Sequence, residues 1–303
     1  VADKTAIEWS DATWNTWYGC TKVSPGCANC YIERTPPYRM AGLRFERGAI
    51  PVQLLSDRMS LPLHWKKPRL IFVNSLSDTF HEDVPDEYLA KLLNVMGQAR
   101  QHTFQVLTKR PERMRQVLTN LAHNSKVLQV PFWPLPNVWL GVTAENQRMA
   151  DERIPRLLDT PAAVRFVSCE PLLGPLDLSD WLRESCDINR HCLDHADLAA
   201  LDWVICGGES GGPERRGLVE KCDRRRHGGF GCEYCGLSGI RPKAEALEWV
   251  TSLRDQCVAA GVPFFFKQWG GARPTFGGRE LQGLYHDAMP VAARQREEAG
   301  SRD

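Results

Sequence analysis

The chain has 303 residues, 43 % of them hydrophobic, and 38 Lys and Arg against 37 Asp and Glu give a formal net charge of +1. That length supports one large core, and the balanced charge neither demands a nucleic-acid partner nor excludes one. No apolar run is long enough to cross a bilayer and no segment reads as a signal peptide, so a cytoplasmic protein without a membrane partner is expected.

Taken in chain order, the first signal is a three-cysteine loop. Trp9, Trp14, Trp17 and Tyr18 lead into Gly19-Cys20, and Gly26-Cys27-Ala28-Asn29-Cys30-Tyr31 completes a C-x6-C-x2-C spacing. Eleven cysteines in a reducing compartment point to metal ligation rather than disulfides. Three ligands without a local fourth leave one position open. On zinc it would be a water site; on a 4Fe–4S cluster, which ordinarily takes four cysteines, it would be a free iron. A knot closed by a distant His or Cys, or thiols without metal, are the plainer alternatives.

The middle of the chain repeats a short apolar run followed by an amphipathic helix. Strands are expected over 69–74, 103–108, 137–142, 163–168, 202–206 and 262–267. Helices are expected from Asp86 to about 100, from Pro111, over 146–158 and over 244–260. Strands alternating with helices imply a parallel sheet, and six or seven units imply a partial or complete TIM-like β/α barrel. One domain over 1–290 is expected, with Cys-rich insertions at about 178–200 and 212–242 and a polar tail over 291–303.

In such a barrel the chemistry collects at the C-terminal strand ends. Those ends carry Asn74, Ser75, Ser77 and Asp78; Lys109 and Arg110; Thr143 and Glu145; Glu170; Gly207, Gly208, Glu209 and Ser210; and Lys267. Singly each reads as a cap or a solvated charge, whereas together they suit a pocket for a charged ligand. Gly207 and Gly208 would let the backbone approach a ligand closely. Lys109, Arg110 and Lys267 could neutralise a phosphate or a carboxylate.

A second cysteine group, Cys222, Cys232 and Cys235 with His227 or Cys192 as the fourth ligand, has the spacing of a structural zinc site, with an auxiliary iron–sulfur cluster or free thiols as alternatives. Cys186, Cys192 and His195 form a looser group, and Arg215, Arg216, Arg224, Arg225 and Arg226 a basic patch that could touch nucleic acid. Cys169, Cys206 and Cys257 read as buried small hydrophobes.

Several stretches together resemble a phage- and bacterium-borne three-cysteine family of uncharacterised function. They are Thr5 to Asn15, Gly19 to Tyr31, Phe72 to His81, Gln105 to Pro111, Ser168 to Gly174, Gly207 to Gly211 and Phe264 to Gly270. That family in turn is similar to radical S-adenosylmethionine (SAM) enzymes, including the photoproduct-lyase-like branch. The resemblance implies a partial barrel of the radical SAM type, with a 4Fe–4S cluster on Cys20, Cys27 and Cys30. SAM would bind the open iron through its amino and carboxylate groups, and its reductive cleavage would give a 5′-deoxyadenosyl radical. A flavodoxin- or ferredoxin-like electron donor and a nucleic acid or nucleotide substrate are implied with it. Cofactor contacts are then expected from Asn74, Ser75, Ser77, Asp78, Thr143, Glu145, Gly207, Gly208 and Glu209, with Ser77 and Asp78 near the methionyl end. Lys109, Glu170 and Lys267 are the expected catalytic residues. The superfamily spacing is C-x3-C-x2-C, so the first gap here is longer by three. The contrasting expectation is a zinc-stabilised nucleic-acid-binding protein without catalysis.

Overall fold

The computed structural model describes residues 5, 7–35, 51–124, 127–130, 132–182, 200–211, 217–222, 240–271 and 276–291. The expected sites at Cys186, Cys192, His195, Arg215, Arg216, the arginines at 224–226, His227, Cys232 and Cys235 lie outside the described residues, as does the tail from 292. Cys222 is buried at the end of the short strand Val219–Lys221, which pairs antiparallel with Ile240–Pro242.

Seven strands make the main sheet, numbered here along the chain: β1 (Ala12–Trp14), β2 (Leu70–Val73), β3 (Thr103–Thr108), β4 (Val138–Thr143), β5 (Val164–Cys169), β6 (Trp203–Gly207) and β7 (Phe264–Gln268). Every neighbouring pair is parallel and the spatial order equals the chain order, with β1 and β7 at the edges. This is an open half-barrel, the partial alternative of the two expected. The helices are α1 (Asp86–Gln98), α2 (Pro111–Ala122), α3 (Gln147–Leu158) and α4 (Ala244–Ala260). Each starts and stops for local reasons. Asp86 and Glu87 complement the dipole of α1, and Pro111 opens α2. Asn146 caps α3 by accepting from the Met149 amide at 3.1 Å, and Gly261, at φ 67°, terminates α4.

Alternation sorts the strand residues onto two faces. Ile71, Val73, Phe104, Val106, Leu140, Val142, Val167, Val204 and Phe266 join the buried helical faces in the larger core. Phe72, Trp139, Phe166, Trp203, Ile205 and Phe265 point the other way and surround Trp9 in a second core inside the curl. The Trp9 ring lies 4.8 Å from Phe72 on β2 and 6.1 Å from Trp203 on β6. In a flat sheet those strands stand four spacings apart, about 19 Å at ~4.8 Å each. One indole meets both because the sheet wraps around it. Gln105, fully buried on the same face, donates to the Trp9 carbonyl at 3.0 Å and accepts from Ser10 Oγ at 2.7 Å. The N-terminal segment thus plugs the floor of the half-barrel inside the curl.

Candidate functional site at the barrel mouth

Two tight turns shape the cysteine loop. Pro25–Cys27 and Tyr31–Arg34 are 3-10 turns, and between them the Cys30 amide donates to the Cys27 carbonyl at 3.3 Å. Cys20 and Cys30 pack with Tyr18 against the buried Ile32. Cys30 lies within electrostatic reach of both Cys20 and Cys27.

Side chains from three strand ends hold this loop over the mouth. Beyond β4, Glu145 (0 % exposed) accepts from the Gly26 amide at 2.9 Å and from Arg153 Nη1 at 3.0 Å. Burial would push its carboxyl pKa up, but Arg153, the Ser24 hydroxyl and the Gly26 amide outweigh it and hold the group below its ordinary range. Beyond β6, Glu209 accepts from Asn29 Nδ2 at 3.0 Å, while Arg34 Nη2 reaches the carbonyls of Asn29 and Ser210 at 3.5 and 3.4 Å. The third hold is Arg110, after β3. It donates through Nη2 to Thr21 O and Oγ1 at 3.1 and 2.6 Å, pairs with Asp78 at 3.2 Å and with Glu82 at 2.9 Å, and places Nη1 3.9 Å from Cys20 Sγ. His81, buried beside it, sits 3.1 Å from Thr21 Oγ1 through Nε2.

Several residues expected to meet a ligand are instead occupied by the protein. Asp78 accepts from the Thr108 hydroxyl at 2.6 Å and from the amides of Phe80 and Lys109 at 3.0 and 2.9 Å, besides Arg110. It fixes Arg110 rather than presenting a carboxylate. Asn74 adopts a left-handed φ of 55° and accepts from the Thr16 amide at 3.0 Å. Ser75 bonds Asn15, and its carbonyl accepts from the Tyr31 hydroxyl; Ser77 donates to the Trp17 carbonyl at 3.4 Å. These four tie the cysteine loop and β1 to β2. The glycines also serve close approaches within the chain. A Cβ on Gly207 would collide with the Glu170 carboxylate, and one on Gly208 with the Trp269 carbonyl.

Room over Gly207 lets Glu170, after β5, cross β6 and pair with Lys267 of β7 at 3.2 Å. Lys109 continues the inward face of β3 set by Gln105 and Leu107, and its ammonium donates to Thr143 Oγ1 at 3.3 Å. Lys109, Thr143, Glu170 and Lys267 therefore all lie at the C-terminal strand ends, joined as two pairs. Arg153 was not foreseen. Its signal is visible in hindsight: Met149, Ala150, Ile154 and Leu157 form the buried stripe of α3, and an arginine in phase with that stripe needs a buried anion.

The donor set bears on whether a metal group fits. Burial pushes the Cys20 thiol up to about 12, aided by the Asp78 charge and opposed by Arg110. Burial likewise raises Cys30, opposed by the Ile32 amide and by Lys109. Without a bound cation both are neutral thiols at neutral pH, and a metal group supplies the charge that makes them thiolate ligands. Three soft donors on a loop anchored from outside fit a thiolate-held group. Among the described residues no set of three His, Cys, Asp or Glu side chains stands close enough to hold a metal ion as it is.

A groove of about 500 Å³ lies at the opposite end of the barrel, against Arg254, Val258, Phe264, Tyr285 and His286. Its charges are matched locally, Arg254 by Asp255 at 2.7 Å and Asp287 by Arg279. The strand-end charges and the cysteine loop are gathered at the mouth, the end opposite this groove.

A family model described as a protein of unknown function (DUF5131) matches residues 4–225 and 234–290, so the chain belongs to that family. No curated protein and no solved structure matches the chain. Among the described residues no helix is long and apolar enough to cross a membrane.

Proposed function

We propose that this family member is an iron–sulfur enzyme of the radical SAM type, with its cluster on Cys20, Cys27 and Cys30. What supports the reading above all is the anchoring of a three-thiol loop, by side chains from three strand ends, over the C-terminal mouth of an open parallel half-barrel. When bound, such a cluster supplies the electron for reductive cleavage of SAM. The chain's own contributions are positional. Glu145 holds Gly26, one residue before Cys27; Glu209 holds Asn29, one residue before Cys30; Arg110 holds Thr21, one residue after Cys20. Each cysteine therefore has a neighbour whose hydrogen bond ends on a residue just beyond a different strand. The aromatic floor around Trp9 closes the barrel from below, which keeps solvent from a reactive species at the mouth. Lys109, Thr143, Glu170 and Lys267 line the space left for cofactor and substrate.

The test is electron paramagnetic resonance of the anaerobically purified, dithionite-reduced protein, with and without SAM. A reduced-cluster signal that changes on adding SAM and is absent in Cys30→Ala is expected. A protein that binds zinc alone, with no signal after iron reconstitution, contradicts the reading and favours a non-catalytic zinc protein.

A further inference from the structure

The charged groups of the mouth are matched unequally. Lys267 has Glu170 at 3.2 Å, Arg153 has Glu145 at 3.0 Å, and Arg110 has Asp78 and Glu82. Lys109 has no carboxylate within ion-pair distance among the described residues; its ammonium donates to the Thr143 hydroxyl at 3.3 Å. The lysine is half-buried, and its backbone amide is pinned by Asp78 at 2.9 Å, so the side chain cannot swing away with its strand end. Thr143 is buried and accepts from Lys109, so its own hydrogen remains to be given, with no acceptor among the described residues.

A part-buried cation beside an unused hydroxyl donor is an arrangement completed by an anion. We propose that Lys109, with Thr143 beside it, receives an oxyanion of the substrate, a phosphate or a carboxylate, at the barrel mouth. This rests on the reading of the mouth as the ligand site, and in that reading the carboxylate of SAM is committed to the metal, which leaves the substrate as the source. The Lys267–Glu170 pair then forms the opposite wall. It is neutral as a pair, so it adds polarity without competing for the anion.

The test is calorimetric titration of the full-length chain with inorganic phosphate and, separately, acetate, at physiological ionic strength. It is run on the metal-free protein and repeated after iron reconstitution, so that failure of the cluster reading leaves the first titration standing. Saturable binding of one anion is expected, and which of them binds identifies phosphate or carboxylate as the group recognised. Lys109→Met should weaken it at least tenfold and Lys109→Arg should restore most of it. Thr143→Val, which leaves the charge in place, should weaken it several-fold. Lys66→Met, an exposed lysine elsewhere, should leave it unchanged. Circular dichroism checks that each variant is folded, and Lys109→Gln replaces any Met variant that is not. Binding equal to wild type in Lys109→Met, as when the lysine serves only to position Thr143, overturns the proposal. So does the absence of binding by either anion.

Discussion

The two ends of the half-barrel are built from opposite materials. At the floor, Trp9, Phe72, Trp139, Phe166, Trp203 and Phe265 fill the curl by apolar contact, with polar ties from Gln105 to the Trp9 carbonyl and from the Trp203 indole to the Ala288 carbonyl. At the mouth, carboxylates, guanidinium groups and backbone amides hold the cysteine loop, and the apolar packing there is a small cluster around Ile32. The floor derives its strength from area removed from water, which tolerates imprecise geometry. The mouth depends on directional bonds, which fix where each cysteine sits but fail when a single partner is lost. Stability and placement are thus divided between the two ends.

Removing Trp9 breaks that division most severely. Trp9→Ala should cost about 4 kcal/mol, read as a lower urea midpoint, with little change as salt is raised. Next is Arg153→Met, which strands the fully buried Glu145 and should cost about 3 kcal/mol at neutral pH. The pH dependence sharpens the contrast. Glu145 is held below its ordinary range, so its ionised form stabilises the fold above the unfolded carboxyl value, about 4.3, and that contribution is lost as pH falls through the lower folded value. The deficit of Arg153→Met should accordingly be full at neutral pH and shrink in acid, whereas that of Trp9→Ala should not follow this carboxyl. Unfolding midpoints across the acid range would show it. Equal pH profiles for the two variants would contradict the assignment of the mouth to charge pairing.

A smaller effect is expected at the rim of the loop. Asn29→Ala removes the hydrogen bond to Glu209, and amide hydrogen exchange should accelerate across residues 26–34 while the strands keep their protection. Smallest is Lys22→Met. Lys22 pairs with Glu33 at 2.7 Å, but both side chains are 32 % exposed, so the change should cost less than about 1 kcal/mol.

The same contrast explains how much could be read from the sequence. Strands β2 to β7 are apolar runs because both their faces are covered, and they stand within one or two residues of where the pattern puts them. β1 escaped, since Ala12–Trp14 is three residues among turn-forming neighbours and is a strand only because β2 pairs with it. The mouth was legible as a collection of polar strand ends, but not in its division of labour. Asp78 and Asn74 look like ligand contacts until Arg110 and Thr16, 32 and 58 positions away, claim them. Gly207 looks like an opening for a ligand until Glu170 fills it. Hydrogen bonds between distant segments leave no periodic trace, whereas burial does.

The claim on which the rest depends is that the anchored loop holds an iron–sulfur group. Iron and acid-labile sulfide content of the anaerobically reconstituted full-length chain, beside Cys20→Ala, Cys27→Ala and Cys30→Ala, tests it most directly. Iron and sulfide in near-equal amounts, bound by the wild type and lost when any one of the three is replaced, is the expected result. Iron and sulfide retained in all three variants, or absent from the wild type, would contradict it.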